Sequence, residues 1–435
     1  MACCIIAPLA KLLFLELNEL NFEYVEHYAR RGELPAFARA LASHGYVHTR
    51  SEEVYDHIEP WIQWITVHTG KPYREHGIFR LGDGAQAGLR QIWQELAGRG
   101  LRVGAFSPMN APAVPEAAFF VPDPWTPTSV TAPALMRRAY MAICQAVGDN
   151  AQGTITARSG LQLALGLIRY GRFRNWPSYL SEGLSGLRRH WPRAIFLDRF
   201  LADCFLNLWR STRPDFATLF LNGAAHIQHH CMFNSSAYRG PHRNPAWYLP
   251  RNVDPVLKIY RLYDQLVGEC LKLAERPRVM VATGLHQDPV EEPVFYWRLR
   301  DHADVLRRVG CEFMSVEPRM SRDFLVNCAD AGQAARAAAI LRSGRSTDGS
   351  ALFDVDDRGD SLFVTLSYPH EIAAGFRASF GERSIEDFSG DVVFVAIKNG
   401  HHNGIGYFLD TGGRANPQAD PIPLSELWQR MVAAF

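Results

Sequence analysis

Five short apolar runs recur along the chain, each bounded by polar or glycine-bearing segments. They are Leu12–Leu17 (LLFLEL), Arg102–Phe106, Ala217–Leu221, Arg278–Ala282 (RVMVA) and Asp391–Ile397 (DVVFVAI). A strand that is apolar on both faces must be covered on both faces, which favours a mostly parallel sheet sandwiched between helices. Helical stretches fall between several of the runs, for example Leu89–Ala97 and Val256–Ala274. After the first run, Asn21 stands where it can cap a helix in which Phe22, Val25 and Tyr28 recur at helical spacing. The expected fold class is α/β with a central mostly parallel sheet.

Two stretches interrupt this alternation. Residues 129–213 show almost no strand signal and several amphipathic helical segments, such as Leu161–Arg172 and Ile195–Arg210, and read as a helical cap insertion. Residues 322–381 read strand, helix, strand, strand, with DDRGD as the turn of a hairpin, and are expected to form a small α+β subdomain. The core is then assigned to 1–128, 214–321 and 382–435. With 435 residues, 47% of them hydrophobic, a sizeable core can be buried and a disordered chain is excluded. Basic and acidic residues number 46 and 45, so no global field points to nucleic acid or to a membrane, and neither is expected as a partner. No apolar stretch is long enough to cross a bilayer. The eight cysteines are scattered without a CxxC pair and read as free thiols, which gives a cytoplasmic expectation. The start of the chain (MACCIIAPLAKLL) lacks a basic region and is not read as a signal segment.

In an open parallel sheet, ligands bind at the carboxyl ends of the strands. Four segments rich in His, Asn and Glu follow the strand-like runs: Glu16–Glu19, Ala225–His230, Gly284–Gln287 and Asn399–Gly404. A fifth, His57–Trp61, opens a helix that ends near Thr69-Gly70.

These segments, in this order, resemble the alkaline-phosphatase superfamily and in particular its phosphodiesterase and nucleotide-pyrophosphatase-like branch. Leu12–Leu41 is similar to the family's opening strand, helix and G-x-x-P turn. Trp64–Phe79 (WITVHTGKPYREHGIF) is similar to its helix ending in TG-x-x-P-x-x-HGI. His226–His230 resembles its D-x-x-x-H, Leu285-His286 its Asp-His pair, and His402–Gly406 its late H-x-x-x-G. The resemblance implies an alkaline-phosphatase-like sandwich and a hydrolase or transferase acting on a small anionic, phosphate-ester-like substrate. It also implies two metals, often zinc, and a Thr or Ser nucleophile. Three of the positions it marks are altered here. The nucleophile falls on Pro60, which has no hydroxyl. The opening Asp falls on Asn18, and the Asp of the Asp-His pair on Leu285.

The resemblance therefore implies a reduced site with one divalent metal per chain, held by His226, His230 and His402, with His286 left over from the second set. Zinc suits three imidazoles, and iron or manganese are alternatives. His229 and His401 adjoin these residues, so a slip of one position exchanges them. Glu59, beside the vacated nucleophile position, is the first candidate for a general base or a further ligand; Glu16 and Glu19 are the next. Asn18 is a candidate contact to substrate or metal. Two other readings stay open: redox chemistry at iron or manganese on the same fold, and a binding protein without catalysis. The sequence leaves the oligomeric state open.

Overall fold

The computed structural model describes residues 11–148, 156–319, 322–416 and 419–435. The segment before Lys11, with its leader reading, lies outside the described residues. The chain divides into two compact units, Met1–Pro289 with Gly400–Phe435, and Val290–Asn399.

The first unit is built on an eight-stranded sheet. Its strands in chain order are β1 (Leu12–Leu17), β2 (Val47–Arg50), β3 (Val103–Phe106), β4 (Phe119–Val121), β5 (Phe216–Leu221), β6 (Arg278–Ala282), β7 (Ile405–Asp410) and β8 (Ile422–Pro423). They lie in the order β8-β2-β7-β6-β1-β5-β3-β4. β1 is central and pairs parallel with β5 and β6, and β3 pairs parallel with β5 and β4. Only β7 runs against its neighbours, antiparallel to β6 and β2. The sheet is the expected mostly parallel one.

Both of its faces are covered, and alternation along each strand divides the core between them. On β1, Leu13, Leu15 and Leu17 pack with the helices Phe22–Arg30, Trp191–Thr212 and Pro255–Cys270. Leu12 and Phe14 face the other way, into a cluster holding Trp64, Trp93 and Leu427 from the helices Pro60–Thr69, Ile92–Gly98 and Glu426–Val432. Burying an apolar side chain of this size contributes roughly 1.5–3 kcal/mol, so a β1 strand apolar on both faces has no stable exposed alternative. Asn21 caps the first helix as its position suggests, accepting from the Glu23 backbone N–H at 2.8 Å.

One of the five strand-like runs lies elsewhere. Asp391–Ile397 does form a strand, Val392–Asn403, but it pairs with His286–Leu299 in a separate two-stranded sheet. Its place in the central sheet is taken by β7, whose run is equally apolar but interrupted by Gly406. The gap in side chain at Gly406 is required: a Cβ there would fall 2.9 Å from the Gly284 backbone and 2.6 Å from Thr49 Oγ1.

The second unit has its own core. A four-stranded antiparallel sheet (Phe353–Asp357, Ser361–Leu366, Asp323–Asn327, Ser315–Pro318 in spatial order) packs against the helix Ala331–Arg342 through Phe324, Val326, Ala338 and Leu362. Asp330 caps that helix by accepting from the Gln333 N–H at 2.8 Å.

Candidate metal centre

The carboxyl ends of β1, β5 and β6 and the residues entering β7 meet at one edge of the sheet. β1 leads into Asn18 and Glu19. Glu19 takes a left-handed backbone conformation (φ 58°), unusual for a residue other than glycine. The conformation is held from both sides. Its N–H donates to Thr283 O after β6 at 3.0 Å, and its C=O accepts from Gln228 Nε2 at 2.8 Å. The result is a glutamate buried at the strand ends, its side chain 2% exposed.

Two imidazoles converge on that carboxylate. His229, on the helix Gly223–Cys231 that follows β5, places Nε2 3.3 Å from Glu19 Oε2. His402, near the end of the strand before β7, places Nε2 3.5 Å from Glu19 Oε1. The two Nε2 atoms are 3.2 Å apart. Among the described residues, these three side chains form the one group whose ligand atoms lie close enough together to hold a metal ion, all within 4.8 Å of one another.

Neighbouring groups set the orientation of each. The Gly400 carbonyl lies 3.1 Å from His229 Nδ1. A carbonyl only accepts, so Nδ1 keeps its proton, and the proton the ring can give up to a metal is the one on Nε2, which faces Glu19 and His402. Gly400 is needed for that approach, since a Cβ there would collide with the Gln287 side chain. Glu59 Oε2 lies 3.7 Å from His402 Nδ1, on the far side of that ring. Asn18 Nδ2 donates to Glu19 Oε1 at 3.0 Å, and Gln287 Nε2 donates to Glu19 Oε2. Burial alone would raise the Glu19 pKa, but the charge of the His402 ring and hydrogen bonding and charge from His229 outweigh it. The carboxyl is held below the usual range, ionised and ready to bind a cation.

Of the residues marked in the sequence, His402 sits in this centre, with Asn18 and Glu59 against it. Asn18 is committed on every side: its Oδ1 accepts from Trp64 Nε1 at 2.8 Å, and its Nδ2 also donates to Asn222 Oδ1 at 2.7 Å. It orients Glu19 and spends its amide doing so. His226 and His230 are not brought to Glu19. They pack edge to face against each other, centroids 5.2 Å apart, with His226 exposed. Their directions on the helix lie about 60° and about 100° from that of His229, on either side of it, which turns both rings away from Glu19. His286 is buried at β6's end with Nδ1 2.5 Å from Ile405 O and Nε2 3.3 Å from Asp288 Oδ1. The hydrogen bond from His286, against an opposing effect of burial, holds the Asp288 pKa down at about 2. Glu16 points into the core, where its Oε2 meets His68 Nε2 at 3.2 Å, both side chains fully buried.

The sequence offers Glu19 only as an alternative base or further ligand, and His229 only as one residue from a chosen position. The available signal was the neighbouring pair Asn18-Glu19: an amide followed by a carboxylate at the end of the central strand.

No family model matches the chain, and no curated protein sequence matches it. Solved structures do. Phosphonoacetate hydrolase from Sinorhizobium meliloti 1021, in complex with phosphonoformate, is similar over 98% of this chain and 96% of its own, at 12% identity and a TM-score of 0.45. Murine ectonucleotide pyrophosphatase/phosphodiesterase 5 is similar over 97% of this chain and 94% of its own, at 11% identity and a TM-score of 0.42. The human form of the latter matches over the same shares at 11% identity and a TM-score of 0.41.

Proposed function

We propose that this chain is a metal-dependent hydrolase of the alkaline-phosphatase-like, phosphodiesterase-like kind. In this reading it acts on a small anionic, phosphate-ester-like substrate and carries a single divalent ion held by Glu19, His229 and His402. The observation that carries the reading is the convergence of two Nε2 atoms and a buried carboxylate at the carboxyl edge of a parallel sheet. The order of the matching segments along the chain supports the substrate class.

The donor set fits zinc, for which two imidazoles and one carboxylate with an open position make a catalytic site. Such an ion supplies Lewis acidity, polarising a phosphoryl oxygen and acidifying water. The chain's own residues do the rest. Gly400 O fixes the His229 tautomer. Glu59, beside His402 Nδ1, favours a proton on that atom, so that Nε2 is the nitrogen that would ligate; it is a positioning residue. Asn18 and Gln287 hold the Glu19 carboxylate by donating to its two oxygens. Pro60 supplies no hydroxyl, so no covalent phospho-enzyme forms at that position and water attacks phosphorus directly. Hydrolysis of a chiral phosphodiester probe in labelled water is expected to invert at phosphorus and to stop in Glu19→Gln. Retention of configuration, or full turnover by Glu19→Gln, contradicts the reading.

A second reading rests on the same donors. Two histidines and one carboxylate also suit non-haem iron. Iron as the tightly held metal, with oxygen consumed in turnover, would favour that chemistry over hydrolysis.

A further inference from the structure

The large apolar side chains exposed on the first unit are concentrated in one part of it. On the helix Ala157–Tyr170, Leu161, Leu165 and Ile168 form a stripe at spacing i, i+4, i+7, and all three are exposed. The packed side of that helix holds Ser159, Gly166 and Tyr170, with Leu163 and Leu167 against the core, and a Cβ on Gly166 would fall 2.9 Å from Ala139. On the helix Trp176–Gly186 and its cap, Leu180, Leu184 and Leu187 repeat the same spacing, again exposed. Between the two helices, Phe173 is 91% exposed. Single exposed leucines need no explanation, but an apolar series over three consecutive elements does.

The charge of the same stretch is one-sided. Residues 134–193 hold nine of the chain's 46 basic residues, all arginine, and two of its 45 acidic ones. Of those two, Glu182 is taken up by Arg199. Arg172 and Arg174 pair with Glu269, while Arg137, Arg138, Arg158, Arg169, Arg188 and Arg189 are exposed. Three of these, Arg137, Arg138 and Arg158, line a cleft of about 490 Å³ between the helices Ala134–Gly148 and Ala157–Tyr170, beside the exposed Met141. The overall charge of +1 conceals this segregation.

We infer that the helices of residues 134–148 and 156–193 form a peripheral docking surface for an anionic phospholipid bilayer. Exposed leucine, isoleucine and phenylalanine side chains enter the acyl boundary while arginines, three of them lining the cleft, meet the headgroups. The contact inferred is with one leaflet; no helix among the described residues is long and apolar enough to cross a membrane. Charge complementarity selects this occupant. A second copy laid on the same face would set arginine against arginine, and nucleic acid would leave the leucines uncovered.

The test is co-sedimentation of the full chain with vesicles of phosphatidylcholine alone and of phosphatidylcholine mixed with phosphatidylserine. Binding is expected to the mixed vesicles, to weaken with salt, and to fall by about tenfold or more in Arg188→Glu/Arg189→Glu. A comparable loss is expected in Phe173→Asp/Leu184→Asp. All four positions are exposed, so melting temperatures are expected to stay at the wild-type value. Failure to bind mixed vesicles, or binding that ignores both double variants, overturns the inference. So does a concentration-dependent dimer that Leu184→Asp dissolves, which would assign the surface to a second copy.

Discussion

Replacing Asp198 by asparagine tests how the helix bearing His229 is held. Asp198, on the helix Trp191–Thr212, is 3% exposed, and its Oδ2 accepts from the Gly223 N–H at 2.8 Å and from the Tyr263 hydroxyl at 2.6 Å. Gly223 is the first residue of the His229 helix. Burial pushes the Asp198 pKa up to about 7, only partly offset by those hydrogen bonds. A carboxyl whose folded pKa lies above its unfolded value of 3.8 binds its proton more tightly in the folded state. The stability it contributes is complete below about pH 4 and is lost as pH rises through about 7. A shift of about three units corresponds to roughly 4 kcal/mol, or a change in melting temperature on the order of several degrees. An asparagine side chain at this position keeps an acceptor for the Gly223 N–H and has no proton to lose. Thermal melts of both proteins from pH 4 to pH 8 are therefore expected to diverge, the wild type falling relative to Asp198→Asn across that window. Parallel curves, or a wild type that gains on the variant with rising pH, would refute the reasoning.

Other outcomes follow from the same contacts. Glu59→Gln removes the carboxylate from His402 Nδ1 and is expected to weaken metal affinity roughly 10–100-fold while leaving the melting temperature of the metal-free chain unchanged; unchanged affinity with a large loss of turnover would make Glu59 a general base instead. Gly406→Ala forces a methyl against the Gly284 backbone and is expected to cost about 1–3 kcal/mol in chemical denaturation. A Gly406→Ala protein as stable as wild type would contradict the close approach of β7 to β6.

What could be read from the sequence divides along physical lines. β1, β5 and β6 are apolar on both faces, and no other arrangement buries them, so their runs were plain. β2 (VHTR) is short and partly polar and β8 has only two residues; β2 becomes a strand because β7 offers it a partner, and β8 because β2 does. β7 itself was hidden by the louder run just before it. The site was legible as a place before it was legible as a set of atoms. Counting from the end of β1 leads to Asn18-Glu19, but the left-handed turn at Glu19, which no composition reveals, makes the carboxylate and not the amide face the histidines. Three histidines within five residues of one helix differ by roughly 100° per residue in direction. Which of them faces β1 is decided by how the helix packs against Asp198 and Tyr263, contacts from far along the chain.

The central claim is that Glu19, His229 and His402 hold one metal ion. Elemental analysis after reconstitution and removal of free metal, on wild type and on single alanine variants, tests it most directly. One equivalent per chain is expected in wild type, in His226→Ala and in His230→Ala, and far less than one in His229→Ala and His402→Ala, with circular dichroism unchanged throughout. Two equivalents in wild type, or loss of the ion in His226→Ala or His230→Ala with retention in His229→Ala, would contradict it.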